Sequence, residues 1–193
     1  ELANDSQSII EQRAIIKMLS VVPKQVQVIV LADRGFDYPE FADIIKDNNA
    51  NFVIRVKKEK NLTTKNDNSF KISDVGLKKG LKRKLTNVIY TKSNPLNVNF
   101  YAKWSKGQEE PWFLISNLNL TVDEICSLYA SRWEIEEMFK SLKNQDVGFD
   151  IKTVKLRELD RWLRFLFLST FLFQFLGSLG KAAREIPKVE QRY

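Results

Sequence analysis

The stretch from Val26 to Lys58 most constrains what this chain can fold into. "VQVIVLAD" is a run of β-branched and apolar residues ending in an Asp, the pattern of a parallel strand buried on both faces. "YPEFADIIKDNN" follows as a short helix with Pro39 in its first turn, and "NFVIRVKK" as a second strand. Ahead of them, "SQSIIEQRAIIKMLS" has helical spacing as far as Val21, with Asp5 or Ser6 as its cap and Pro23 as its stop. This helix-strand-helix-strand order predicts a layered α/β domain with right-handed crossovers.

The character of the chain changes at Lys57. From there to about Glu110, Asn, Lys, Thr and Ser dominate, and short alternating pieces such as "NVIYTK" and "NVNFYAKW" predict a β-rich insertion. Between Lys57 and Lys92, 11 Lys and Arg stand against 3 acidic residues, so this segment carries a surplus as large as that of the whole chain. Such a segment either meets an anionic partner or is a solvated loop region. "PWFLISNL" then reads as a strand returning to the core, and Thr121 with Glu124 makes a capping box for the next helix. The expected organisation is a core segment over 1–56, the basic insertion over 57–110, the return strand and C-terminal helices over 111–180, and a polar, frayed tail over 181–193.

Composition narrows the chemistry. The chain has 193 residues, 44% of them apolar, enough for one substantial core. It contains no histidine, which excludes Ser-His and Cys-His catalysis and histidine metal sites. Cys126 is the only cysteine, so an internal disulfide and a cysteine zinc cluster are excluded, in keeping with a reducing cytoplasm. Any hydrolytic chemistry must rest on carboxylates, Lys, Tyr or a hard metal. The net charge of +7 favours an anionic partner. No secretory signal opens the chain, and a start at Glu1 without Met suggests a piece of a larger protein. "LRFLFLSTFLFQFLGSL" is the one membrane candidate, but Arg164 and Gln174 interrupt it, and its uncharged part falls short of about 18–20 residues. It reads as a buried helix.

Two places carry candidate chemistry. Asp33 ends the first strand just before Gly35, where reactive groups of open α/β sheets gather; a strand-end Asp also serves as a turn or helix cap. The second is "YASRWEIEEMFKSLKNQ", which reads as one continuous helix over 129–145. At about 100° per residue, with Arg132 at zero, Glu136 falls near about 40°, Lys143 near about 20° and Tyr129 near about 60°, a narrow polar stripe. Leu128, Ile135, Met138, Phe139 and Leu142 form the apolar arc beside it, slightly spoiled by Ile125. An exposed i,i+4 pair of Arg132 with Glu136 is the simpler alternative. If the helix brings Glu136 beside Asp33, the two carboxylates could hold a hard cation such as Mg2+, which suits hydrolysis at phosphorus without histidine.

The spacing Tyr129-x2-Arg132-x3-Glu136-x6-Lys143 resembles the Tyr-Arg-Glu-Lys signature of bacterial DDE transposases of the insertion-sequence-4 group. "VIVLADRGF" is similar to the strand that presents that family's second catalytic Asp, "FVIRVK" to the strand after it, and the β-rich insertion fits between them. The resemblance covers roughly Glu1 to Leu179. It implies a ribonuclease-H-like catalytic core, truncated here on its N-terminal side, with the insertion between the second and third carboxylates. Asp33 would be the second and Glu136 the third member of the triad, binding two Mg2+ or Mn2+ ions. Tyr129, Arg132 and Lys143 would hold phosphates of the transposon end, with Lys140 and Arg34 as further DNA-contacting cations. Trp112, on the returning strand, would stack against a flipped base, or else is a core Trp.

The same resemblance implies transposition: hydrolysis of one strand at each transposon end, then attack of the freed 3′-hydroxyl on target DNA. Double-stranded DNA is the expected partner, with a homodimer forming in the synaptic complex, no membrane role, and a bacterial, nucleoid-associated cytoplasmic location. No residue upstream of the first helix matches the first catalytic Asp, because capping explains Asp5. The first carboxylate is therefore expected outside this chain, leaving the chain alone inactive. A non-catalytic, basic DNA-binding remnant of a transposase and a related metal-dependent nuclease are the alternatives.

Overall fold

The computed structural model describes residues 6–144 and 155–185, and the chain divides into two compact units, Glu1–Arg132 and Trp133–Tyr193. In the first unit, helix α1 (Gln7–Ser20) precedes strand β1 (Ile29–Ala32), helix α2 (Pro39–Asp47) and strand β2 (Asn51–Arg55). Strands β3 (Asn61–Thr63), β4 (Ser69–Lys71), β5 (Lys82–Tyr90) and β6 (Leu96–Lys103) follow, then β7 (Trp112–Ser116) and helix α3 (Val122–Ala130). The strands form one seven-stranded sheet in the order β1-β2-β7-β6-β5-β3-β4. Only β1 and β2 pair in parallel, across α2, while the remaining pairs are antiparallel. Strands β3 to β6 therefore extend the same sheet through the β6–β7 ladder instead of forming a separate body.

Period-two alternation decides which side chains each face buries. Phe52 and Ile54 of β2, Phe113 and Ile115 of β7, and Phe100 and Ala102 of β6 enter one core with α1 and α2 residues such as Ile15, Phe41 and Ile45. The intervening Val53, Leu114 and Tyr101 enter a second core with Val122, Ile125, Cys126 and Tyr129 of α3. The predicted capping box holds α3 in place: Glu124 N–H donates to Thr121 Oγ1 at 3.3 Å, and Thr121 N–H donates to Glu124 Oε2 at 2.8 Å.

Three expectations need correction. Strand β1 is half-buried rather than sandwiched on both faces, because it is the edge strand of this sheet. Ser6 occupies the cap position of α1, but its hydroxyl pairs with that of Ser8 at 3.1 Å, not with the helix backbone; Asp5 lies outside the described residues. The helix over 129–145 is broken. α3 ends at Ala130, Ser131 and Arg132 N–H groups bond back to the carbonyls of Leu128 and Tyr129 at 3.1 Å, and α4 (Trp133–Lys143) begins anew. These i,i+3 bonds tighten the last turn and disrupt the rotational count that had set Tyr129 on the polar stripe. With α3 as its own helix, Val122, Ile125, Cys126 and Tyr129 fall at i, i+3, i+4 and i+7 and become its buried face.

The second unit contains α4 and the 27-residue helix α5 (Leu159–Glu185). The expectation of a buried α5 is also corrected: Leu163, Phe167, Phe171, Leu172, Phe175 and Leu176 are exposed, Phe167 to 71%. Its apolar residues run all round the helix, so no single packing face can cover them. By length and composition, Asp160–Gly180 is long and apolar enough to cross a membrane. The expected tail over 181–193 lies mostly outside the described residues.

Candidate active site

The parallel pair β1 and β2 fixes one edge of the first unit. Ala32 stands opposite Ile54, so Asp33 and Arg55 leave neighbouring strands at their carboxyl ends. Because β7 runs antiparallel with Leu114 opposite Arg55, Trp112 and the preceding Glu110 arrive at the same edge. Asp33 is exposed, and its Oδ1 accepts the Gly35 N–H at 2.8 Å, capping the short 3-10 turn Arg34–Phe36. Asp33 thus does the turn-stabilising work weighed as its simpler role, and that bond also aims the carboxylate. A Cβ on residue 35 would lie 3.0 Å from the same oxygen, so an added methyl would have to push that carboxylate aside.

Four residues on, Asp37 locks this turn to the sheet. It is 6% exposed, accepts the Lys57 N–H at 2.8 Å through Oδ2, and accepts the Tyr90 hydroxyl through Oδ1. Burial pushes its pKa up from the ordinary 3.8, against the opposing pull of those donors and of Lys60 and Lys57. The end of β1, the end of β2 and strand β5 therefore meet on one carboxylate.

Beside Asp33 lies a cluster of arginine and aromatic side chains. Arg34 Nη2 donates to Glu110 Oε2 at 2.5 Å, and Arg55 Nη2 approaches the same oxygen at 3.5 Å. The Nε of each arginine is buried without a hydrogen-bond partner. Tyr129, 3% exposed, packs edge-on against Trp112 with ring centres 5.1 Å apart, and the Arg132 guanidinium sits 5.6 Å from the Tyr129 ring centre. The Tyr129 hydroxyl is close enough to Arg55 to favour the guanidinium's charged form, yet no hydrogen bond of ordinary geometry satisfies it. Burial first, and the Arg34 charge second, pull the Arg55 pKa down. Arg34, with help from Arg55 and Lys58, holds the Glu110 carboxyl below the usual range. Buried donors left over at one strand edge are what an anion would complete.

The predicted residues divide between the units. Asp33, Arg34, Trp112, Tyr129 and Arg132 belong to the first; Glu136, Lys140 and Lys143 belong to α4 of the second. Within α4, Glu136 and Lys143 are seven positions apart, hence about 20° apart round the helix. Lys140 pairs with Glu137 at 2.6 Å, and Lys143 Nζ lies 6.0 Å from the Phe139 ring centre. Trp112 is half-buried and lines a 260 Å³ cavity with Lys103, Gln108, Asp123 and Cys126. Part of the cationic surplus of β5 is structural. Lys82 stands directly opposite Lys103, and Asp123 neutralises both, at 2.5 and 3.0 Å.

A family model described as the transposase DDE domain matches residues 3–172. The chain belongs to this family. No curated protein matches it. Membership makes the chain a transposase domain with DNA as substrate, and the mixed α/β architecture of the first unit accords with the ribonuclease-H-like fold that the DDE family implies.

DDE transposases generally use divalent metal ions, and the exposed oxygens of Asp33 are hard donors suited to Mg2+. Among the described residues, no three Asp, Glu, His or Cys side chains gather as a ligand set. Sequence reasoning missed Arg55, Glu110 and Asp37. Arg55 left a signal, since a lone cation ends the otherwise apolar "FVIR"; nothing in the sequence couples Glu110 or Asp37 to partners 76 and 53 residues away.

Proposed function

We propose that this domain belongs to the insertion-sequence-4 group and that Asp33 and Glu136 supply two of the carboxylates that bind Mg2+ or Mn2+ for nicking transposon ends and joining them to target DNA. The observation that carries this reading is the strand edge itself. An exposed carboxylate at the end of β1 stands one residue from Arg34, beside Arg55, in the unit whose Tyr129 and Arg132 begin the Tyr-Arg-Glu-Lys spacing. Asp33 and Glu136 would hold the cation, which when bound would activate the attacking water or 3′-hydroxyl and stabilise charge at phosphorus. The protein's own groups do the rest. Arg34, Arg55 and Arg132 bind backbone phosphates, and Lys143 and Lys140 add compact charge from α4. Trp112 offers a face for a displaced base, and the Gly35 bond orients Asp33.

The working assembly is a homodimer formed on paired DNA ends, in the bacterial cytoplasm. The test is Mg2+-dependent nicking of a duplex end by the full-length protein. Asp33→Asn and Glu136→Gln should each abolish nicking while leaving DNA binding in place; undiminished nicking by either variant would overturn the assignment.

A further inference from the structure

We propose that Glu110 is an internal stand-in for a DNA phosphate: in the free protein its carboxylate fills the place between Arg34 and Arg55 that a backbone phosphodiester takes over on binding. This rests on the reading of this edge as a DNA-binding surface.

The geometry is that of an anion site holding a weak occupant. One oxygen, Glu110 Oε2, receives both guanidinium groups, at 2.5 and 3.5 Å. Arg55 is half-buried at the end of β2, its side chain 22% exposed, so its backbone position is set by the sheet. Glu110 is 63% exposed and sits in the loop just ahead of β7. Arg55 is held by the sheet while Arg34 and the acceptor lie toward solvent, the arrangement in which an acceptor can be exchanged without disturbing the core. Donor capacity also exceeds what Glu110 uses, because the Nε groups of both arginines at this edge have no hydrogen-bond partner. A phosphodiester carries the same single negative charge as a carboxylate and presents two terminal oxygens to a pair of arginine forks. Beside the contact, a cavity of about 120 Å³ lined by Arg34, Lys57, Lys58, Glu59 and Pro111 gives the displaced chain or the incoming phosphate room. Glu59 is the other carboxylate there, and Lys57 and Lys58 outnumber it.

Exposed ion pairs are weak, so the stand-in costs little to displace: it satisfies two neighbouring like charges when DNA is absent and yields when a polyanion arrives. Removing it should tighten binding about 1.5- to fivefold, the range an exposed ion pair supports. The fall of log K with log salt should keep about the same slope, because the same phosphate is neutralised in both forms and only the internal competitor is gone.

The experiment is a salt series of duplex-oligonucleotide binding by the chain, by Glu110→Gln, by Glu109→Gln and by Glu110→Gln combined with Arg55→Gln. Glu109 is outside these contacts, so its variant removes the same charge without emptying the site. Tighter binding at an unchanged salt slope for Glu110→Gln alone, cancelled by Arg55→Gln, is the expected result. Equal affinities for wild type and Glu110→Gln, or an equal gain in Glu109→Gln, would overturn the stand-in while leaving the DNA reading intact. Failure of every form, wild type included, to bind would overturn the DNA reading and the stand-in with it.

Discussion

Replacing Tyr90 with Phe isolates the bond that ties the Asp33 turn to the sheet. The ring stays, so no cavity opens, and the buried Asp37 carboxylate loses one of its two donors, keeping only the Lys57 N–H. A hydrogen bond to a charged acceptor is worth about 1.5–3 kcal/mol. At about 2–4 °C per kcal/mol for a chain of this size, the variant should melt about 3–12 °C lower at neutral pH. The pH dependence sharpens the test. Because burial raises the folded pKa of Asp37 above its ordinary 3.8, the folded form binds the proton better, and stability declines as pH rises through that folded pKa. Tyr90 softens the decline by donating to the ionised carboxylate; without it the pKa rises further and more stability is lost on the way to neutrality. As pH falls below that raised pKa, Asp37 takes up its proton and the cost of Tyr90→Phe should shrink to about 1 kcal/mol, that of a neutral hydrogen bond. Urea melts of both forms at the two pH values measure this. An identical penalty at both, or none at either, would refute the placement of Asp37 as a buried, ionisable lock.

Other substitutions address neighbouring parts. Gly35→Ala should leave thermal stability within about 1 kcal/mol of wild type, because a smaller unfolded-state entropy offsets the crowding. It should still lower nicking by tenfold or more, because the new Cβ displaces the Asp33 carboxylate; unchanged kcat would contradict the aiming role of that turn. Thr121→Ala removes the cap of α3 and should cost about 1 kcal/mol in a urea melt. Arg132→Gln should weaken binding to a DNA end, with a deficit that shrinks as salt rises, since one phosphate contact fewer releases fewer counterions.

Much of the first unit was legible in the sequence because its signals are local. Pro39 sits at the start of α2, Thr121 and Glu124 close their box within one turn, and the β-branched run before Asp33 pairs in parallel with the strand after it. The family-level reading drawn from the sequence, a DDE transposase, agrees with the transposase DDE domain matched over residues 3–172. What escaped depends on contacts distant in sequence or on a break in periodicity. A wheel drawn through Tyr129, Arg132 and Glu136 assumes an unbroken helix, and two i,i+3 bonds at Ser131 and Arg132 end that assumption, turning Tyr129 from a surface group into the last buried residue of α3. Asp37 reads as an ordinary loop acid until Tyr90 and Lys57 close on it. Arg55 differs from its strand neighbours only in charge, and its partner Glu110 arrives through the antiparallel return of β7. The long apolar stretch of α5 carries no periodic face, so composition suggested a buried helix where its side chains are exposed.

The central claim is that Asp33 and Glu136 grip one cation, and Mn2+ titration followed by electron paramagnetic resonance, with a DNA end bound, tests it most directly. The account predicts a binding event that either Asp33→Asn or Glu136→Gln removes, with the double variant little worse than each single one, because coupled ligands are lost together. Mn2+ binding undiminished in either single variant, or losses that simply add, would contradict it.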